Sequence, residues 1–274
     1  MLMLTIRGDS AGYRTMLIAV TRPVSASLAQ CELTHQARLP IDVGRARRQH
    51  AAYEETLRSL GATVIQVPEA PELPDAVFIE DTALVLDEIA VIARPGAASR
   101  RAETGPVATL LSTYRPLRQL ESPATLDGGD VLRVGRTLYL GLSSRTNRLG
   151  AAQLGEMLEP MGYAVVTVAV TGCLHLKSAV TQVADGLLLL NPRWVAPAVF
   201  TDCELMSVAD QESGAANALY FAGAVIYPAH FPVTAERLVR HGLNVVPVEC
   251  GELAKAEGGV TCCSLLLEAP APAT

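Results

Sequence analysis

The chain is poor in aromatic residues and contains no extended basic tract. Among its 274 residues there are four Phe and one Trp, and the formal net charge is −6. A nucleic-acid-binding surface normally combines a basic face with aromatic side chains that stack on bases, so this class of protein is disfavoured. No stretch approaches the roughly 18 apolar residues that a membrane-spanning helix requires. We therefore expect neither a nucleic acid nor a membrane as a partner.

The six cysteines lack the paired spacing of zinc-binding or thiol–disulfide motifs. No CxxC sequence occurs, and Cys262 and Cys263 are adjacent, which rarely suits a disulfide framework. The apolar residues near the N-terminus are interrupted by Arg7, Asp9 and Arg14, unlike those of a secretory signal. These features favour reduced thiols and a cytoplasmic location.

The composition is typical of a folded chain with a sizeable core, since 50% of the residues are hydrophobic and 18% are charged. Residues 1–15 are predicted to form an irregular extension, and Met16 is an alternative start of the protein. No low-complexity linker divides the remainder, so residues 16–274 are predicted to form one domain.

A repeated local pattern organises this domain: a short strand, a turn, a second strand, a helix or loop, and a further strand. In one repeat the pattern predicts strands at Val131–Val134 and Thr137–Gly141, a helix from about Asn147 to Leu158, and a strand at Ala164–Val168. Gly135 and Arg136 supply the hairpin turn. Four such units follow one another along the chain.

The fifth unit is split between the two termini. "VTCCSLLLE" is expected to pair with "TMLIAVTRP", and a helix over roughly Ala46–Leu60 with the strand "TVIQVP" completes the unit. Repeats of 40–50 residues indicate a closed or stacked array, and we expect a helix in every unit. In this arrangement the two cysteines lie on a strand and point to opposite faces.

Polar residues stand just before the first strand of each unit, at intervals of 42 to 48 residues. If the units surround an axis, these positions converge on one central site. A cysteine, a histidine and carboxylates in one pocket form a nucleophile, a proton-transfer group, an orienting acid and a subsite for a cation. The residues are Glu80, Asp81, Asp127, His175, Asn217 and Cys262.

Each of these residues also has a structural interpretation. Cys262 is either a nucleophile or a small buried side chain, whereas Cys263 is interpreted as core. His175 either transfers protons near neutral pH or has a purely structural role. Asp127 either orients His175 or forms a turn before Gly128 and Gly129.

Two further groups of charges suggest a zwitterionic ligand with a cationic side chain. Asp75, Glu80 and Asp81 form either a solvated loop or a cation subsite. Arg100 (or Arg101) and Arg145 follow the second strands of their units. They are interpreted either as solvated charges or as a clamp for a carboxylate. An amino acid with a guanidinium or ammonium side chain fits both groups.

Six motifs containing these residues follow one another along the chain: "LPDAVFIEDTAL", "RPGAASRRAET", "LDGGDVL", "SSRTN", "LHLKSAV" and "GGVTCCSLLLE". In residues and in order they resemble the motifs of the dimethylarginine dimethylaminohydrolases, a family of the guanidino-group modifying (pentein) superfamily. The resemblance extends from about Met16 to Glu268 and implies an α/β fold, a five-bladed propeller of ββαβ pseudo-repeats closed through the termini.

The resemblance implies that Cys262 is the nucleophile, His175 the general acid and base, and Asp127 the catalytic carboxylate. It implies hydrolysis of methylated arginines to citrulline through a covalent thiouronium intermediate, without a cofactor or a metal. The implied substrate-binding residues are Leu33, Asp75, Glu80, Asp81, Arg100, Arg145 and Ala256.

Two other functions remain as alternatives to this one. Arginine deiminases use the same set of residues on unmethylated arginine, although their chains are usually longer. A non-catalytic binder of cationic amino acids is the second alternative, disfavoured because the Cys, the His and the Asp occur together. In each case the partner is a small molecule, and the sequence leaves the oligomeric state, including a homodimer, open.

Overall fold

Five three-stranded sheets contain all the named strands of the computed structural model, which describes residues 15–271. In each sheet the central strand has one antiparallel and one parallel neighbour. The first half of the chain contributes β1 (Thr15–Thr21), α1 (Val43–Ser59), β2 (Ala62–Gln66), β3 (Ala83–Val85), β4 (Ala90–Ile92), α2 (Thr104–Leu111), β5 (Leu117–Gln119), β6 (Val131–Val134) and β7 (Thr137–Leu142). The second half contributes α3 (Arg148–Leu158), β8 (Ala164–Ala169), α4 (Leu176–Ala179), β9 (Val180–Ala184), β10 (Leu187–Leu190), β11 (Glu204–Ser207), β12 (Leu219–Phe221), β13 (Ala224–Pro228), α5 (Pro232–Arg240), β14 (Val245–Val248), α6 (Gly251–Ala254) and β15 (Leu265–Pro270).

The unit from β6 to β8 illustrates how local sequence signals build each blade. Gly135 adopts a φ of +58° in the turn between β6 and β7, a conformation that glycine allows without steric strain. Asn147 caps α3, because its side chain accepts a hydrogen bond from the amide of Gly150 at 2.8 Å. The helix then returns the chain to β8, parallel to β7. The predicted strands and helix of this unit are confirmed.

The termini close the array, as the split fifth unit predicts. β1 pairs antiparallel with β15, with Met16 opposite Ala269, and parallel with β2. The strand starts at Thr15, one residue before the predicted domain boundary, and residues 1–14 of the predicted extension lie outside the described residues. The first strands of neighbouring units are adjacent, with β15 beside β3, β6 beside β9, and β9 beside β12. The five-bladed α/β propeller expected from the sequence is therefore the observed fold.

One unit departs from the expected pattern. The connection between β10 and β11 contains only the single 3₁₀ turn Pro197–Val199, so the prediction of a helix in every unit is wrong here. Pro192 and Pro197 both lie in this short connection. Proline lacks the amide hydrogen that a helix interior requires, which explains the missing helix.

The environment of the two adjacent cysteines also differs from the prediction. β15 begins only at Leu265, so Cys262 and Cys263 lie in a turn and not on a strand. A hydrogen bond to a side chain holds this turn: the backbone amide of Thr261 donates to Oδ1 of Asn217 at 3.1 Å. Cys263 is buried in the apolar core, as expected, while Cys262 is partly exposed.

Buried apolar side chains form five clusters, and the helices contribute one face each. Leu154 and Leu158 of α3, for example, belong to the cluster that also contains Leu138 of β7. These clusters pack the strands and helices of the blades together, and the polar loops before the first strands are left to form a site. Within residues 15–271, no helix combines the length and the apolar character needed to cross a membrane.

Candidate active site

The loops that precede the first strands of several units meet at a small chamber with about 10 Å³ of free space. This space accommodates about one water molecule. Seven of the residues predicted from the sequence line it, and Asp127, Glu80 and Leu33 do not. The lining consists of Glu32, Asp75, Phe78, Asp81, Arg100, Arg145, Leu174, His175, Ala256, Glu257, Gly258 and Cys262.

Asp127 lies directly behind His175. Its Oδ2 is 3.0 Å from Nε2 of His175, and its side chain is fully buried. The amide of Gly96 donates to the other oxygen, Oδ1, at 2.9 Å, and the backbone amide of Asp127 donates to Thr146 Oγ1. These bonds fix the carboxylate, so it orients the imidazole from the side remote from the chamber.

A second carboxylate faces the opposite edge of the His175 ring. Nδ1 of His175 is 3.8 Å from Oδ1 of Asp81. Burial lowers the pKa of His175, but Asp81, the hydrogen bond to Asp127, and Asp130 outweigh it and raise the pKa to about 9. His175 is therefore an imidazolium at neutral pH, which can donate a proton. A side chain at Gly129 would collide with this ring, because its Cβ would lie 2.6 Å from Nδ1.

The thiol of Cys262 is held in a largely acidic environment. Burial raises its pKa to about 12, and the charges of Glu80 and Asp81 act in the same direction. The amide of Gly259, which donates to Sγ at 3.2 Å, favours the thiolate. Without a ligand the thiol is thus neutral at pH 7, although the imidazolium of His175 lines the same chamber, and a further cation beside Sγ favours the thiolate.

Arg100 is engaged by acidic groups of the protein itself. Nη1 donates to Oδ2 of Asp81 at 2.6 Å, and Nε and Nη2 donate to both oxygens of Glu103. Burial raises the pKa of Asp81, but His175 and Arg100 outweigh it and lower the pKa, so Asp81 is ionised. Arg100 lines the chamber, whereas Arg101 does not and instead donates to the carbonyl of Pro95. The role of Arg100 in a carboxylate clamp stays a prediction.

Glu80 points away from the chamber into a buried network. Its Oε1 accepts from Nζ of Lys177 at 2.5 Å, and its Oε2 accepts from Oγ1 of Thr261 at 2.8 Å. Asn217 donates to the same Thr261 oxygen, so four units of the propeller contribute to this network. Burial raises the pKa of Glu80, and Lys177 opposes this rise. Lys177 and Thr261 were not predicted from the sequence to belong to the site, although each is close in the chain to a predicted catalytic residue.

The loop at residues 32–36 covers the chamber. Asp75 Oδ2 accepts from the amide of Glu32 at 3.1 Å, and Nη2 of Arg145 donates to Thr34 Oγ1 at 3.2 Å. Leu33 packs against the apolar core instead of lining the chamber. The loop thus stays close to both residues through polar contacts.

Glu257 provides the main anchor of this loop. Its carboxylate accepts from the amides of Thr34, His35 and Gln36 at 3.0, 2.5 and 2.6 Å. Glu257 has a φ of +59°, in the left-handed region that few non-glycine residues adopt. Sequence reasoning missed this residue, and its position before Gly258 and Gly259 was the available signal.

Asp81, Asp127 and His175 have oxygen and nitrogen atoms within 4.8 Å of one another, a spacing that suits a metal ion. Their other contacts argue for a different arrangement. Asp81 is already bound to Arg100, and a protonated His175 has no lone pair to offer to a metal. The three side chains therefore fit an imidazolium between two carboxylates.

A ring of five ββαβ-type units around a Cys–His–Asp set defines a pentein, an α/β propeller of the guanidino-group modifying class. The family described as "N,N dimethylarginine dimethylhydrolase, eukaryotic" matches residues 31–192. The chain belongs to the dimethylarginine dimethylaminohydrolase family.

Two bacterial relatives carry the name N(G),N(G)-dimethylarginine dimethylaminohydrolase. The protein from Streptomyces coelicolor is 41% identical over 251 residues, which cover 91% of this chain and 96% of the relative. That from Pseudomonas aeruginosa is 35% identical over 226 residues, covering 82% and 89%. A crystal structure of a Cys-to-Ser variant from Pseudomonas aeruginosa, complexed with citrulline, superposes with a TM-score of 0.87 at 34% identity and covers 92% of this chain and 100% of that chain.

Proposed function

We propose that the protein hydrolyses Nω-methylated arginines, namely asymmetric dimethylarginine and monomethylarginine, to citrulline and the corresponding methylamine. The observation that carries the proposal is that Cys262, the imidazolium of His175 and buried carboxylates line the same chamber. An ionised Asp81 suits a guanidinium, and the relatives named above support the methylated substrate.

The substrate itself would supply the cation that the thiol needs. The pKa of Cys262 is about 12 in a chamber lined by acids, and a bound guanidinium lowers it by favouring the thiolate. His175 is already protonated, so the thiol proton leaves to solvent as the substrate binds. Catalytic competence thus depends on a cationic ligand.

The first chemical step breaks the bond to the methylated nitrogen. The Sγ thiolate of Cys262 attacks the guanidinium carbon and forms a C–S bond. His175 gives its proton to the departing nitrogen, and the C–N bond breaks to release the amine. Asp127 keeps the imidazole oriented, since its Oδ2 lies 3.0 Å from Nε2.

The second step regenerates the enzyme. His175, now neutral, takes a proton from a water molecule whose oxygen attacks the thiouronium carbon. The C–S bond breaks, the thiolate leaves, the remaining hydroxyl proton passes to solvent, and the carbonyl of citrulline forms. Asp81 and Asp127 favour the return of His175 to the imidazolium. Splitting the reaction avoids direct attack by water on a resonance-stabilised carbon.

The test is a comparison of citrulline formation from arginine, monomethylarginine and asymmetric dimethylarginine at equal concentrations. We expect higher kcat/KM for the methylated substrates. A preference for plain arginine assigns the chemistry of a deiminase to the same residues. Binding of all three without citrulline formation, in freshly reduced protein, identifies a non-catalytic binder and contradicts the proposal.

A further inference from the structure

A second cavity, of about 350 Å³, lies beside the closed chamber. Leu174, Glu257 and Gly258 line both spaces, so these residues form a shared wall. The second cavity, here called the side cavity, has the size of a small-molecule site. The chamber, with about 10 Å³ of free space, has no comparable room.

The shared wall is next to the groups that break the C–N bond. Leu174 directly precedes His175 in the chain, and Gly259, whose amide donates to Cys262 Sγ at 3.2 Å, lines the side cavity. Arg145, predicted to hold the substrate carboxylate, lines only the chamber. The side cavity is therefore close to the reacting end of the substrate and separate from its amino-acid end.

The walls of the side cavity are largely uncharged and include several aromatic rings. Trp194 and Phe231 line it, and the ring of His230 is 4.3 Å from that of Phe231. Burial lowers the pKa of His230, so its imidazole is neutral at pH 7. Burial raises the pKa of Cys250 to about 12, which keeps this thiol neutral as well.

A single carboxylate gives the cavity its charge. Among residues 15–271, Glu257 is the one acidic residue of the lining, and no Lys or Arg contributes to it. Aromatic faces and one carboxylate without a competing basic group attract small organic cations, particularly those with methyl groups.

We propose that the side cavity binds the dimethylammonium or methylammonium ion that forms when the neutral amine released in the first step takes a second proton from water, an inference that rests on the proposed function. The amine leaves the carbon attached to Cys262 after taking its proton from His175, next to the shared wall. Its methyl groups match the aromatic faces, and its charge is balanced by Glu257. While the loop at residues 32–36 is closed, the side cavity gives the amine space beside the covalent intermediate.

The position of Trp194 allows a direct test, because this residue is the only tryptophan of the chain. Dimethylammonium chloride is titrated into the Cys262→Ser variant, in which no covalent chemistry takes place, and tryptophan fluorescence is recorded. We expect a saturable change that potassium chloride and 2-propanol, a neutral molecule of similar size, do not produce. We expect the change to persist at saturating citrulline, because the proposed function assigns that ligand to the chamber.

Two variants and a second measurement complete the test. Glu257→Gln removes the charge together with one acceptor for the loop amides, and we expect it to weaken dimethylammonium binding about tenfold. Trp194→Leu leaves this loop anchor intact and is compared with it. Saturation-transfer NMR on the methyl signal of the amine reports binding independently of fluorescence, and we expect the transfer to be lost in Trp194→Leu.

The inference is overturned if neither measurement detects saturable binding, if citrulline displaces the amine, or if 2-propanol binds equally well. These outcomes are independent of turnover. Absence of citrulline formation by the unsubstituted protein contradicts the proposed function, whereas normal turnover without amine binding contradicts the side cavity alone.

Discussion

The guanidinium of Arg100 is joined to the carboxylate of Asp81 by a hydrogen bond of 2.6 Å, and the two side chains are only 5% and 3% exposed. Glu103 occupies the other edge of the same guanidinium. Asp81 in turn faces His175 and accepts from the amide of Gly129. Arg100 thus fixes the carboxylate of Asp81, which in turn stabilises the imidazolium of His175.

The first prediction concerns this ion pair. We expect Arg100→Lys to lower the free energy of unfolding by about 3 kcal/mol, because lysine cannot bond to two carboxylates at once and leaves buried charge unpaired. Arg101→Lys is the matched control and should change it by no more than about 0.5 kcal/mol. Denaturant unfolding measures both. Equal effects at the two positions contradict a stabilising role of the ion pair between Arg100 and Asp81.

The second prediction separates the two adjacent cysteines. Cys262→Ser should lower kcat by a factor of about 10³ or more, because a hydroxyl does not replace the thiolate as nucleophile. Cys263 is buried in the core, so Cys263→Ser should cost about 1–2 kcal/mol of stability and leave kcat within about threefold. Citrulline formation and thermal unfolding are measured for each. Similar kcat values for the two variants exclude Cys262 as the sole nucleophile.

The repeated hairpins were predictable because they depend on short-range signals. Gly135 lies in a hairpin turn with positive φ, and Asn147 caps the following helix, as the sequence indicates. The turn that contains Cys262 was not predictable in the same way. Its conformation depends on Asn217, which is 44 residues away from Thr261 in the chain. A β-rich composition alone therefore suggested a longer strand than the one observed.

The site shows the same division between local and long-range determinants. The regular spacing of the units was sufficient to predict that Asp127 and His175 lie close together, since both precede the first strand of a unit. Side-chain direction was not predictable, because it depends on the tertiary partners. Glu80 turns toward Lys177 and away from the chamber, while Glu257 reaches the loop at residues 32–36 from a backbone conformation that the sequence does not reveal.

The third prediction concerns the network around Glu80. Thr261→Val retains the shape of the side chain but leaves Oε2 of Glu80 and one of the two N–H groups of the Asn217 side chain without a partner. We expect a loss of about 1–3 kcal/mol in the free energy of unfolding, the usual cost of unsatisfied buried polar groups. Thr56→Val, on the exposed side of α1, is the control and should cost no more than about 0.5 kcal/mol.

The Thr261 prediction also has a kinetic part. Because Glu80 N donates to the carbonyl of Cys262, loosening this network displaces the nucleophile, so kcat should fall more than KM rises. Combining Thr261→Val with Lys177→Met should give less than the sum of the two effects, since both residues bond to Glu80. Strict additivity of the two substitutions contradicts a shared role in holding Glu80.

The fourth prediction follows from the raised pKa of His175, about 9 in the folded protein against 6.5 for an ordinary histidine. A raised pKa means that the folded protein binds the proton more tightly than the unfolded chain does. The resulting stability is fully present below pH 6.5 and is lost as the pH rises through 9. The difference corresponds to roughly 3 kcal/mol. The free energy of unfolding of the wild type should therefore decline, relative to a protein that lacks the imidazole, between pH 6.5 and pH 10.

His175→Gln provides that reference, since glutamine can still donate to Asp127 but does not titrate. Other groups that ionise in this range, such as the thiols and tyrosines, are common to both proteins and cancel in the difference. Denaturant unfolding at several pH values measures the two free energies. If their difference stays constant from pH 6.5 to 10, His175 is neutral in the folded protein. The departing amine would then need a different proton donor, because only the imidazolium form of His175 carries a proton acidic enough to transfer.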